Sequence, residues 1–176
     1  VQNSPARIAN LVDLSQLSTD LSNDTVPDYV WSSPDQCNDM RGRAATPADP
    51  CDFSQIQKLI ATRDQFLSTT VRAITSSKAW TGNSAIVITW DESDFRGSGP
   101  FGFGDTRGCC AANPSGGHVL TMVITRQDGA RASFTPYNHY SILATIEDGW
   151  KLGCLANTCD TAAVPPMSDL VGNGNG

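Results

Sequence analysis

Apolar positions recur along this chain with periods that change from segment to segment. Leu11, Leu14, Leu17 and Leu21 fall at three- and four-residue steps, which predicts a short helix from about Asp13 to Leu21. Asp28–Ser32 (DYVWS) reads as a short strand closed by Pro34, and Asp35 to Pro50 reads as a loop of prolines, glycine and small polar residues. Phe53, Ile56, Leu59, Ile60, Leu67, Val71 and Ile74 form one helical stripe. It predicts a long helix capped by Asp52 and running to about Ser77. After a turn at Thr81–Asn83, Ala85–Trp90 (AIVITW) is β-branched and apolar on both faces, as a strand inside a parallel sheet reads. Asp91–Gly117 is a long glycine-rich loop, and a loop of that length in a compact domain is commonly functional. Val119–Thr125 (VLTMVIT) is a second buried strand, followed by a turn at Gln127–Gly129. Asn138 is placed to cap a last helix carrying Ile142, Leu143, Ile146 and Trp150, with Gly153 as its stop. From Thr161 the chain has two prolines and a GNGNG end, and it reads as disordered.

The order is helix, strand, long helix, strand, long loop, strand, helix. It predicts an α/β fold: a mostly parallel sheet with helices on both faces. One domain is expected over residues 1–170, with 171–176 as a disordered tail.

Composition narrows the function classes. The 176 residues are 39% hydrophobic and 17% charged, and the net charge is −6. That charge argues against nucleic acid as a partner. The longest apolar runs, Ser84–Trp90 and His118–Thr125, fall far short of the ~20 residues of a transmembrane helix. Six cysteines stand at 37, 51, 109, 110, 154 and 159. There is no CxxC pair and only two histidines, so disulfides are favoured over structural zinc. The expected local pairs are Cys37–Cys51 and Cys154–Cys159, each bracketing a turn-rich segment. Disulfides imply an oxidising compartment, hence secretion. The chain begins at Val1 rather than Met, so a leader or a longer segment is expected upstream.

Candidate chemistry centres on Asp91 and Glu92, which directly follow the buried strand. Ligands of open α/β sheets bind at the carboxyl ends of strands. Adjacent acids repel unless a cation or a hydrogen-bond network holds them, and a hard divalent ion takes carboxylate oxygens readily. The plain alternative is one acid capping a turn and the other solvated. His118 and His139 can each bind metal, bind phosphate or transfer a proton, or can simply be hydrogen-bonded or exposed. In Cys37–Asn38–Asp39–Met40–Arg41, Asn38 and Asp39 can join a metal or substrate site, and Arg41 can hold a pair of phosphate oxygens. The alternative for that loop is an ordinary disulfide-pinned turn. No Walker loop, Rossmann glycine pattern, HExxH or GxSxG is present.

Three stretches carry a resemblance: VPDYVWSSPDQCNDMRG (26–42), SAIVITWDES (84–93), and GGHVLTMVIT followed by YNHYSILATIEDGWKLGCL (116–155). In order and spacing they resemble the bacterial and fungal phosphoesterase family of phospholipases C and certain acid phosphatases. That family belongs to the alkaline-phosphatase-like superfamily. The resemblance implies a phosphoric ester hydrolase that uses a divalent metal ion and takes a phosphate-ester substrate. Asp91 and Glu92 match the family's DE motif at the metal and phosphate site, and His139 matches the His of its YNHYS or DHTS motif. The family loop usually reads NDMHG, and this chain has Arg41 where that His stands. Family members also carry an upstream acidic-Asn-His motif and a Ser or Thr nucleophile, and neither appears here. The chain is therefore expected to supply the C-terminal half of such a site, with an N-terminal segment or chain completing it. In isolation it is expected to be a poor catalyst. The competing function is a catalytically inactive secreted α/β domain or fragment with a binding or assembly role. Arg41 and the missing nucleophile favour that alternative, and an upstream acidic-Asn-His motif would favour the enzyme.

Overall fold

The computed structural model describes residues 4–44, 46, 48–92, 110, 117–126 and 130–172. It comprises two compact units, Val1–Thr81 and Gly82–Gly176.

The first unit contains α1 (Pro5–Ile8), α2 (Ser15–Asn23) and α3 (Ile56–Thr75). Pro5 opens α1, where its fixed φ and missing N–H cost nothing. At the start of α2 the Asp13 carboxylate accepts the Ser15 N–H at 2.9 Å. Asp24, left-handed at φ 59°, ends the helix. α2 lies against α3. The long stripe does form α3, but the cap moves from Asp52 to Gln55. The Asp52 carboxylate is instead taken by the N–H and hydroxyl of Ser54, which holds the chain in a turn ahead of the helix. Leu59 is the one buried residue of α3, at 1% exposure. The strand expected at Asp28–Ser32 does not form. Tyr29, Val30 and Trp31 are exposed, and the segment has no ladder partner among the described residues. β-propensity alone does not make a strand without a neighbour to hydrogen-bond.

The loop from Asp35 to Asp52 is tied at three points. The Asp35 carboxylate accepts the N–H groups of Cys37 and Asn38, at 2.9 and 3.1 Å. A disulfide joins Cys37 to Cys51. Arg43 and Asp52 form an isolated bridge, with Arg43 N–H on the Cys51 carbonyl at 2.8 Å. Gly42 sits inside these ties at φ +72° and is buried.

The second unit contains β1 (Ala85–Thr89), β2 (Thr121–Thr125), α4 (His139–Trp150), a 3-10 turn (Ala156–Cys159) and α5 (Ser168–Val171). The parallel sheet expected from the sequence is not what the described residues form. β1 and β2 pair antiparallel, Val87 opposite Val123, and make a two-stranded sheet. An apolar run encodes burial and not strand direction. With no strand at 28–32, the described residues hold no strand–helix–strand crossover to run parallel. Thr89 and Thr121 join their hydroxyls across the strands at 2.8 Å. Val87 and Met122 are 39% and 38% exposed, so the sheet is not buried on both faces. Most of the long loop Asp91–Gly117, all of the turn Gln127–Gly129 and residues 173–176 lie outside the described residues.

α4 starts where the sequence puts it. Asn138 Oδ1 accepts the Ser141 N–H, and Ser141 Oγ accepts the Asn138 N–H, both at 3.3 Å. This reciprocal pair satisfies two helix-end donors. The helix stops at Lys151, left-handed at φ 54°, two residues before the expected Gly153. Its buried face is Ser141, Ala144 and Glu147. The stretch from Thr161 was expected to be disordered, yet Val164 and Met167 are 0% and 3% exposed. These two side chains, with Ala144 and Thr158, form the buried centre of the unit. Apolar burial outweighs the turn-forming bias of Pro165 and Pro166. The second expected disulfide, Cys154–Cys159, closes the loop that follows α4.

Candidate active site

β1 ends at Thr89, and Trp90, Asp91 and Glu92 follow at its carboxyl end. Asp91 is exposed and Glu92 half-buried. The Glu92 N–H donates to Asp91 Oδ1 at 3.1 Å, so the first acid turns the chain while the second follows it. The sequence gives no hint of what lies beside them. His139, the first residue of α4, places Nε2 2.7 Å from the Trp90 carbonyl oxygen. A carbonyl only accepts, so Nε2 carries the proton in this contact. In the neutral ring Nδ1 is then the acceptor. A residue 49 positions away is thus held one peptide from the acidic pair. The other histidine, His118, lies just ahead of β2 and is exposed.

Asp39 and Arg41 belong to the first unit. The Asp39 carboxylate accepts the Arg41 N–H at 2.6 Å. This contact closes a turn over Met40, which is left-handed at φ 73°. Asp39 lines an open pocket of about 570 Å³ together with Asp35, Asn38, Arg43 and Thr62. Arg41 is exposed.

The carboxylates of Asp91 and Glu92 are the donors that a hard divalent cation takes. Among the described residues, no group of three or more His, Cys, Asp or Glu side chains is arranged to hold an ion. The donor type therefore fits a divalent metal, while the described donors alone fall short of a complete set.

One polar cluster carries no mark in the sequence. The Asp169 carboxylate accepts the Ser133 hydroxyl at 2.6 Å and the Tyr137 hydroxyl on its other oxygen. These two hydrogen bonds, Ser133 foremost, hold the Asp169 carboxyl below its usual range. Partial burial and the bond to Asp169 push the Tyr137 phenol up. A depressed carboxyl stabilises the folded state above the ordinary Asp value of about 3.9, and that contribution is lost as pH falls through the folded value. A carboxyl ¹³C titration should place the Asp169 midpoint below the ordinary aspartate value. A midpoint at the ordinary value would contradict the cluster.

Together these elements define a class of protein. Helices accompany a short sheet, adjacent carboxylates stand at a strand's carboxyl end, and a helix-borne imidazole is docked behind them. Residues 2–153 match the family model described as the Phosphoesterase family, and the chain belongs to that family. This agrees with the family of phospholipases C and acid phosphatases that its motifs resemble. Membership implies hydrolysis of phosphate esters. Searches of curated proteins and of solved structures return no match to the chain.

Proposed function

We propose that this chain carries part of the active site of a secreted, metal-assisted phosphoric ester hydrolase, of phosphatase or phospholipase C type. The observation that carries this reading is the contact of His139 with the Trp90 carbonyl, which sets the imidazole beside Asp91. Asp91 and Glu92 would hold a divalent cation together with ligands from outside the described residues. A cation so bound would offset charge on the phosphoryl oxygens and promote ionisation of the attacking hydroxyl.

The chain's own residues have narrower tasks. Asp91 and Glu92 supply negative charge at the strand end. His139 fixes the Trp90 carbonyl and with it the direction in which the acids leave the strand. Arg41 offers a guanidinium of the kind that pairs with two phosphate oxygens, and Asp39 holds the backbone that presents it. The nucleophile would be a Ser or Thr hydroxyl supplied from outside these 176 residues. Having given up its proton, it would attack phosphorus; the ester P–O bond would break as the leaving oxygen takes up a proton and departs as the alcohol, and water would then cleave the phosphoenzyme bond to release phosphate. Two disulfides support an oxidising, extracellular setting. No helix among the described residues is long and apolar enough to cross a membrane.

The second reading, an inactive binding or assembly domain, is favoured by Arg41 at the position of the family's His. Phosphoester turnover by the full-length protein separates the two readings, and one variant tests the place of His139. His139→Ala removes an exposed side chain, so folding should persist. As a group that orients the acids, it should lower kcat by about ten- to a hundredfold. Unchanged turnover in a folded His139→Ala protein would remove His139 from the site.

A further inference from the structure

The family match ends at residue 153, yet the chain beyond it is built into the second unit. Residues 154–167 run as a strap along α4, and α5 carries the segment on to pack against β2. The Cys154–Cys159 disulfide and the 3-10 turn Ala156–Cys159 open it. Thr158, Val164 and Met167 are then buried in the same unit as the Ser141, Ala144 and Glu147 face of α4. The Met167 N–H donates to Thr145 Oγ1 at 2.8 Å, in the middle of the helix.

The strap's polar contacts concentrate on the few residues that deliver the chain to His139. Asn138 divides its amide: Oδ1 caps α4, and Nδ2 donates to the Ala163 carbonyl at 3.2 Å. Asp169 holds Ser133 and Tyr137 through its two carboxylate oxygens. Arg131 donates to the Asp169 carbonyl at 3.3 Å. Four residues between 131 and 138 are thus fixed from one segment, directly ahead of the histidine.

We propose that this strap is a positioning device for His139, and that Asp169 is its positioning residue. By holding Ser133 and Tyr137, Asp169 sets where α4 begins and keeps the imidazole on the Trp90 carbonyl. Asp169 touches none of the residues assigned to the chemistry. Two hydrogen bonds to an ionised carboxylate are stronger than neutral ones, which suits an anchor on an otherwise exposed surface. The strap's catalytic meaning rests on the reading of His139 as a site residue, whereas its mechanical action on His139 does not.

The test reads the imidazole itself. Long-range ¹H–¹⁵N spectra of the full-length protein, with the His139 resonances assigned by their loss in His139→Gln, read that imidazole, and His118 serves as an internal reference. The wild-type protein should show His139 with its proton on Nε2. In Asp169→Ala that signature should move toward a mixed-tautomer average. Amide exchange in the first turn of α4 should rise at least about tenfold, the scale of losing two hydrogen bonds. His118 and the amides of α3 should stay unchanged. Asp169→Asn keeps an acceptor for one of the two hydroxyls and should fall between wild type and Asp169→Ala. If Asp169→Ala does not fold, Tyr137→Phe, which deletes one bond and no packing, should give the smaller shift. A His139 signature and an α4 exchange rate that Asp169→Ala, or Tyr137→Phe in its place, leaves unmoved would overturn the strap. A wild-type protein with the expected tautomer response and no phosphoesterase turnover would instead overturn the functional reading and leave the strap standing.

Discussion

Asp91→Asn in the full-length protein should abolish most divalent-metal-dependent phosphoester hydrolysis, by about a hundredfold or more, while leaving the melting temperature in metal-free buffer unchanged. The substitution keeps the shape of the side chain and its Oδ1 acceptor, so the turn contact with the Glu92 N–H survives. What it deletes is charge. Asn and Asp serve about equally well in a cap or turn, so a purely local role predicts no effect on turnover. A carboxylate that offsets a divalent cation has no amide substitute. Steady-state turnover of a phosphomonoester and a phosphodiester, with a thermal melt on the same sample, separates the two roles. Wild-type turnover by the variant would place Asp91 outside the chemistry.

Gly42→Ala should cost about 3 kcal/mol of stability in the first unit, from left-handed backbone strain and overpacking combined. At φ +72° an L side chain is strained in any surroundings. The surroundings are also full: an added Cβ would lie 2.8 Å from Leu59 Cδ1, 2.9 Å from Phe53 Cα and 3.0 Å from the Cys51 carbonyl oxygen. Two of those three neighbours are backbone atoms next to the Cys37–Cys51 disulfide, and they cannot swing aside. The third is the most buried side chain of α3. The denaturant midpoint of the variant should drop with little change in slope. A midpoint within error of wild type would mean that Gly42 is not packed in this way.

The elements that the sequence announces are those with strong internal signals. α3 carries an apolar stripe over twenty residues, and α4 carries both a stripe and a side chain able to cap it. β1 and β2 are β-branched runs bounded by polar residues, and the two local disulfides follow from short loops between cysteines. What stays hidden depends on partners far along the chain. DYVWS has the composition of a strand but pairs with no strand among the described residues. The apolar runs of β1 and β2 mark strands but neither their direction nor their depth, so the antiparallel pairing and the half-exposed faces could not be read from them. Val164 and Met167 become core through α4, while the two prolines between them point to an open tail.

The candidate site divides in the same way. Asp91 and Glu92 are legible because two acids end an apolar run, and His139 because it opens a capped helix and matches a family motif. Their proximity is invisible in the sequence, since the atom that receives His139 is a main-chain carbonyl. Asp169 is a polar residue in a proline-containing segment, and its partners lie 32 and 36 residues away, so no local pattern marks it. Asp39 and Arg41 are marked by the NDMRG motif, while the turn that binds one to the other is a side-chain contact to a main-chain N–H that the motif does not announce.

The central claim is that this family member hydrolyses phosphate esters with a divalent cation held in part by Asp91 and Glu92. The most direct measurement is phosphate or alcohol release by the purified full-length protein. A phosphomonoester and a phosphodiester should each be assayed before chelation, after exhaustive chelation, and after divalent cations are restored one at a time. Turnover that disappears on chelation and returns with one cation, but not in Asp91→Asn, is the predicted result. Turnover indifferent to chelation, or none under any condition from a folded full-length protein, would contradict it.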